Sequence, residues 1–265
     1  AAKRGETNGY LAVEDGEPVL HVTQKGNETE ITDDTIKQLK QLAHVDDVSP
    51  QLDASVTAKC GPYEGYLSLT GVSQHFLKEL PLKSGTLPPA NTDTLSLLYG
   101  NHFQDNFYKV SKNSSANFGG GNGGDVHIDP LKDTIFYIFP EGYKPAPKNN
   151  SSDSGTSGGA SAAAAPASVA TETSDKPQKK YILDTAGILD GGSSGYNSYS
   201  YSIYCDIDTL KNFLKQRYRK YLVPEPKLNK KGKPVDYYVY SQAYVFVDDM
   251  NHVSEVQKKI AELGY

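Results

Sequence analysis

Tryptophan is absent, cysteine occurs twice, and no apolar run approaches the ~20 residues that a membrane-crossing helix needs. No segment is therefore read as a membrane span. Residues 1–9 are polar and lack the apolar stretch of a secretory leader. A basic excess is missing too: 27 Lys and Arg stand against 32 Asp and Glu, formally -5, so nucleic acid is not an expected partner. Cys60 and Cys205 form no C-x-x-C pair and no zinc set. Both lie in strand-like segments. A disulfide between them would close a long loop and contribute ~4–5 kcal/mol by chain entropy, and two separate buried thiols fit the sequence equally well.

Catalytic signatures are scarce. Residues 155–159 and 191–195 match G-x-S-x-G, but a nucleophile elbow needs a buried strand before the serine and a helix after it. The first match lies in Ser/Gly/Ala-rich sequence and the second in a hairpin-like turn. Residues 120–125 (GGNGGD) partly match a calcium-binding nonapeptide repeat, which works only as stacked tandem copies, and they lack the Lys-Ser/Thr of a phosphate loop. The six histidines include no pair at helical metal-ligand spacing. Asp46-Asp47 and Asp248-Asp249 sit at element junctions, where helix capping explains them. No catalytic residue, metal or cofactor is expected.

What the chain does have is βα patterning at both ends. Residues 243–247 (AYVFV) read as a buried strand. Asp248, Asp249 and Asn251 are helix-capping residues, and Val253, Val256, Ile260 and Leu263 then share one helical face. Gly264 suits a left-handed C-cap. A helix that returns to a sheet calls for another strand, so the chain reads as part of something longer.

At the front, residues 10–13 and 18–22 are strand candidates. Thr32 caps a helix stapled by Ile31 and Ile36, with Ile36, Leu39 and Ala43 facing the core. Residues 45–50 open a second strand region. Val56, Ala58 and Cys60 alternate as a half-buried strand does, and residues 66–70 return. Further strands are expected at 133–139, 180–183, 186–189 and 199–206. Asp206 or Asp208 caps a helix carrying Leu210, Phe213 and Leu214. Residues 113–125 are a polar loop, 148–179 a disordered insert, and 227–233 a basic hairpin tip. Tyrosine is abundant, with 19 copies. Tyr196, Tyr199 and Tyr201 form a stripe that suits a partner-binding face.

Residues 244–253, 255–260 and 262–265 resemble the end of the extracytoplasmic domain of MacB/FtsX-type ABC-transporter permeases. Residues 32–34, Ile36, Leu39 and 44–50 are similar to that family's "helix, then gV..VsP, then strand" pattern. Residues 70–72, 80–82, 84–85, 94–100, 102–107 and 206–211 follow in the family's order. The resemblance implies an α/β (α+β) fold in two lobes. A βαβ porter-like, membrane-proximal lobe would come from residues 1–72 plus 238–265. A β-rich Sabre-like lobe would come from 73–237. It also implies a non-catalytic domain on the extracellular face of the cell membrane, of Gram-positive style, between two transmembrane helices. The domain would couple membrane-helix movement to substrate or adaptor handling. Its partners would be a cytoplasmic ATPase subunit, a second permease copy and an extracellular adaptor. The alternative is a secreted or cell-surface ligand-binding module whose face is the tyrosine stripe.

Overall fold

In the computed structural model the last strand lies between strands drawn from the front of the chain. The structure describes residues 10–11, 18–23, 30–110, 126–140, 179–192, 195–217 and 238–265. The front supplies β1 (Tyr10–Leu11), β2 (Val19–Thr23), β3 (Ile31–Thr32), α1 (Asp33–Lys40), β4 (Val45–Cys60) and β5 (Tyr63–Val72). From the middle come α2 (Gln74–Glu79), β6 (Leu82–Gly85), β7 (Ser96–Tyr99), β8 (Phe107–Lys109), β9 (Phe136–Ile138), β10 (Lys180–Ile182), β11 (Asp184–Leu189), β12 (Ile203–Asp206) and α3 (Ile207–Arg217). The end supplies β13 (Val239–Tyr240), β14 (Gln242–Val247) and α4 (Val253–Glu262). Twelve strands join in one sheet, ordered β1-β2-β14-β4-β5-β12-β7-β11-β6, with β8 on β5, β9 on β4 and β10 on β9. β3 and β13 pair separately. The chain is α+β, the class expected. The loop at 113–125, all of the 148–179 insert except Lys179, and the basic tip at 227–233 lie outside the described residues.

β14 is antiparallel to both neighbours, with Val245 opposite Leu20 of β2 and Val48 of β4. Ala243, Val245 and Val247 enter the larger core, which they share with Ile36 and Leu39 of α1 and Val256 and Ile260 of α4. Tyr244 and Phe246 enter a smaller core under α2, with Phe76 and Leu77. Both faces of the strand are buried, which is why it reads as a continuous apolar run rather than an alternation. Each buried α4 side chain contributes about 1.5–3 kcal/mol. The first and last helices thus pack in one core, and the Tyr265 hydroxyl lies 2.7 Å from the Thr35 hydroxyl of α1. β1 is antiparallel to β2, hence parallel to β14, with Tyr10 opposite Leu20 and so level with Val245. α4 runs back so that the Tyr265 hydroxyl also reaches the Glu30 carbonyl, beside β3, at 3.3 Å.

Ala43 is exposed rather than in the core, because α1 stops at Lys40 and the chain turns through His44 at φ 67°. The strand regions expected on either side of Pro50 are one 16-residue strand. The first half of β4 pairs with β14 and the second half with β5, from Leu52 opposite Gly71 to Cys60 opposite Tyr63. β12 then lies parallel to β5, with Cys205 opposite Gly71. Cys60 and Cys205 are free thiols. These registers put Cys60 eight residues along β4 from the position facing Cys205 through β5, about 26 Å at strand rise, far beyond the reach of a disulfide.

Two expected strands are shorter than their patterns. β9 covers only Phe136–Ile138, although Ile135 and Phe139 are buried beside it. β12 starts at Ile203, because the Asn197 side chain accepts the Tyr199 N–H at 3.0 Å and the Ser200 hydroxyl at 3.2 Å. That local turn competes with the ladder and wins. Gly100 accommodates it: a Cβ there would stand 2.3 Å from the carbonyl oxygens of Tyr199 and Ser200.

Candidate interaction surface

Where β4 passes from β14 to β5, polar side chains tie the three strands together. The Asp53 carboxylate accepts the Gln51 amide at 2.9 and 3.1 Å, the Thr70 hydroxyl at 3.0 Å and the Ser241 hydroxyl at 2.6 Å. Gln51 Oε1 accepts the Gln242 amide at 2.7 Å and the Tyr244 hydroxyl at 2.8 Å. Burial holds the Tyr244 phenol well above its usual pKa, so it remains a donor at any physiological pH. The network ties the end strand β14 to the front strands β4 and β5. It is specified by directed hydrogen bonds rather than by apolar packing.

The structure splits the tyrosine stripe. Tyr196 and Tyr201 are exposed, at 53% and 49%. Tyr199 turns inward and packs edge-on against Phe76 and Tyr204. The turn at Asn197 is the cause, since it breaks the period of two that a strand would have imposed. At the centre stands His102, which the sequence reading did not single out. Its ring stacks on Tyr196 at 4.0 Å and 13°, and lies 6.0 Å from Tyr201. Both of its nitrogens face oxygen, Nε2 the Gly195 carbonyl at 3.1 Å and Nδ1 the Asp105 carboxylate at 3.4 Å. The Asn101 amide also donates to the Gly195 carbonyl at 2.8 Å, and the Asn106 amide donates to the Tyr201 carbonyl at 3.1 Å. Two aromatic rings are thus held outward on a hydrogen-bonded loop. Tyr66 and Tyr108, a second exposed pair, stack 6.4 Å apart where β5 meets β8.

An open cleft of about 460 Å³ adjoins this loop, lined in part by Lys83, Asn101, Gln104, His127, Asp129 and Asp133. Its carboxylates serve their own turn. Asp129 accepts the Leu131 N–H at 3.0 Å and pairs with Lys132 at 2.7 Å, and Asp133 accepts the Asp129 N–H at 2.8 Å. The Lys132 ammonium first, then the Leu131 N–H, hold Asp129 below the usual carboxylate range. Of the G-x-S-x-G matches, residues 155–159 lie outside the described residues. Residues 191–195 fall in the loop between β11 and β12, with Ser193 itself outside the described residues. Residues 120–125 are outside them as well. No described helix is long and apolar enough to cross a membrane.

A third cluster joins residues the sequence kept apart. His44, in the turn after α1, and His252, just before α4, both reach Asp248 at the end of β14. Here a histidine and a carboxylate four apart are completed by a second histidine from the other end of the chain.

No family model matches the chain, and no curated protein matches it. Among solved structures it is similar to the extracellular domain of the noncanonical ABC-type transporter YknZ from Gram-positive bacteria. Identity is 12%, 92% of this chain and 90% of that one are covered, and the TM-score is 0.44. It is also similar to the periplasmic region of MacB from Actinobacillus actinomycetemcomitans. There identity is 11%, the coverage 92% and 80%, and the TM-score 0.46. At these values the likeness carries no weight for function.

Proposed function

We propose that this chain is the extracytoplasmic domain of a MacB/FtsX-type ABC-transporter permease, a non-catalytic module joined at both ends to transmembrane helices. The observation that carries the reading is that β14 sits between β2 and β4 while α1 and α4 share one core. A loop held between two membrane helices needs its ends to close on each other, and here strands and helices from both ends share one sheet and one core. The motif order along the sequence supports the same family. The porter-like lobe is 1–72 with 238–265 and the Sabre-like lobe 73–237, and the two meet where β4 pairs with β9 and β5 pairs with β8 and β12. Movement of the membrane helices tilts the first lobe, and the continuous strand β4 passes that tilt to the second. The Tyr196–His102–Tyr201 surface then meets a substrate or an extracellular adaptor. The remaining partners are a cytoplasmic ATPase subunit and a second permease copy, at the surface of a Gram-positive cell.

Two measurements test this. The parent reading frame should carry apolar runs of ~20 residues on both sides of the chain, and their absence sinks the reading. In the intact transporter, spin labels at Leu82→Cys and Met250→Cys, both exposed positions, should report copy-to-copy distances that change between nucleotide-free and ATP-bound states. Unchanged distances at both positions would remove the coupling role. The exposed aromatic loop supports a second reading, a cell-surface ligand-binding module. Glycan-array or peptide binding by the isolated domain, lost in Tyr196→Ala, together with a parent frame lacking apolar flanks, would favour it.

A further inference from the structure

We propose that His44, Asp248 and His252 form a binding site for a zinc-class divalent cation. His44 Nδ1 lies 3.0 Å from Asp248 Oδ2, and His252 Nδ1 lies 2.7 Å from Asp248 Oδ1. One ligand atom from each of the three residues falls within 4.8 Å of the others. Two imidazoles and one carboxylate suit zinc, which is bound at 2.0–2.2 Å by such donors. They do not suit magnesium or calcium, which ask for mostly oxygen ligands.

Two features set this triad apart from an incidental surface cluster. The first is backbone preorganisation. His44 holds a left-handed φ of 67°, a conformation that costs a non-glycine residue of order 1–3 kcal/mol. The Asp248 N–H fixes that turn by donating to the His44 carbonyl at 3.2 Å. Asp249 caps the short turn that carries His252, accepting the Asn251 N–H at 2.8 Å. All three ligands therefore stand on anchored backbone. The second is the posture of the rings, which stack at 3.6 Å and 22° with both Nδ1 atoms turned to one carboxylate. Two imidazolium cations in that posture would repel each other. Two neutral rings can each give an Nδ1 lone pair to one cation in place of the two protons. Binding requires the rings to pivot out of the stack so that these in-plane lone pairs converge. The side chains are 34–37% exposed, which leaves room for the pivot and an open coordination position for water. The bound ion would clip the exit of α1 to the entry of α4, at the end of β14 opposite Tyr265. This site does not depend on the transporter reading.

The test uses untagged protein stripped with chelator and titrated with zinc chloride by calorimetry. The expected result is one equivalent bound with micromolar affinity, a raised melting temperature, and no response to magnesium or calcium. His44→Ala and His252→Ala should each weaken binding by roughly tenfold or more. Histidine 15N NMR of the unmutated protein provides a readout that does not depend on the variants folding. Zinc should shift the Nδ1 resonances of His44 and His252 and leave His102 unmoved. No binding at millimolar zinc, or binding that leaves both resonances unshifted, overturns the proposal.

Discussion

Replacing Asp206 by alanine should destabilise the folded protein by about 3–5 kcal/mol. The residue ends β12 and is 3% exposed. Its carboxylate accepts four donors: the Gln74 amide at 2.8 Å, the Asn91 N–H at 3.0 Å, and the Thr209 N–H and hydroxyl, each at 2.9 Å. One side chain therefore caps α3, anchors the first turn of α2 and fixes the loop before β7. Loss of the cap accounts for about 1–2 kcal/mol. Each buried donor left unmet typically adds 1–3 kcal/mol. Because the Gln74 amide also donates to the Pro88 carbonyl at 3.1 Å, the sum stays toward the lower end of that range. For a domain of this size the loss lowers Tm by roughly 6–20 °C.

With no tryptophan to follow, urea unfolding is read by far-UV circular dichroism, with tyrosine fluorescence as the second probe and an unchanged m-value expected. Asp208→Ala is the internal control. That carboxylate is exposed in the same first turn, so its loss should stay within about 0.5 kcal/mol. The reasoning is refuted if Asp206→Ala costs less than about 1 kcal/mol or no more than Asp208→Ala. The pH dependence has a definite sign. Burial alone would raise the Asp206 pKa, but the four donors together outweigh it and leave the carboxyl below its usual value. A depressed folded pKa means that the contribution is complete above the unfolded pKa of ~3.9 and lost as pH falls through the folded one. The stability gap between wild type and Asp206→Asn should therefore be level from about pH 5 to 8 and shrink below about pH 4.

The buried hydroxyls of Tyr99 and Tyr137 lie 2.6 Å apart, so Tyr99→Phe should cost about 1–2 kcal/mol in the same urea assay. Burial raises the Tyr99 pKa to about 12 and Tyr137 well above its ordinary value. Their contribution is complete below the unfolded pKa of ~10 and lost as pH rises through the folded values. Ultraviolet titration should show these two phenols among the late-ionising buried group that also includes Tyr240 and Tyr244, in step with alkaline unfolding. Gly100→Ala places a Cβ against two carbonyl oxygens and should cost about 2–4 kcal/mol. A cost within error would mean the 199–200 turn is free to move. Thiol labelling followed by non-reducing mass measurement should find both cysteines free. Cys60 should react slowly and Cys205 only on unfolding, because burial raises both thiols and Cys205 much further. An unlabelled mass two hydrogen atoms short would restore the disulfide.

The two chain ends were legible because their signals are local. Val253, Val256 and Ile260 of α4 fall on one helical face at spacings of three and four, and the β14 run is too short and too β-branched to be a helix. The continuity of β4 was not legible, because Pro50 looks like a strand terminator. Proline is excluded where a strand is paired on both sides, and here it is not. At Pro50, β4 has β14 on one side, while β5 pairs only from Leu52 onward. The Asp53 network is hidden for a related reason. Asp53, Thr70 and Ser241 are far apart in sequence and unremarkable singly, and only the registers of three strands bring them to one carboxylate.

Two surface groupings are invisible to spacing for one reason, that a rule of spacing holds only where the backbone keeps that spacing. The Tyr196–Tyr201 stripe assumed strand alternation, and one asparagine side chain turned Tyr199 inward while leaving its neighbours out. Helical spacing between histidines cannot reveal a carboxylate at 248 with a histidine at 252 and another 204 residues before that carboxylate. β4 and β14 make that meeting unavoidable once they pair, since Val45 opposite Val247 leaves the residue before one strand beside the residue after the other. Long-range pairing of strand ends is therefore where chemistry can gather in this fold without a sequence motif. The open ends of β4 and β14 are the positions at which a substitution of one histidine should be felt by the other.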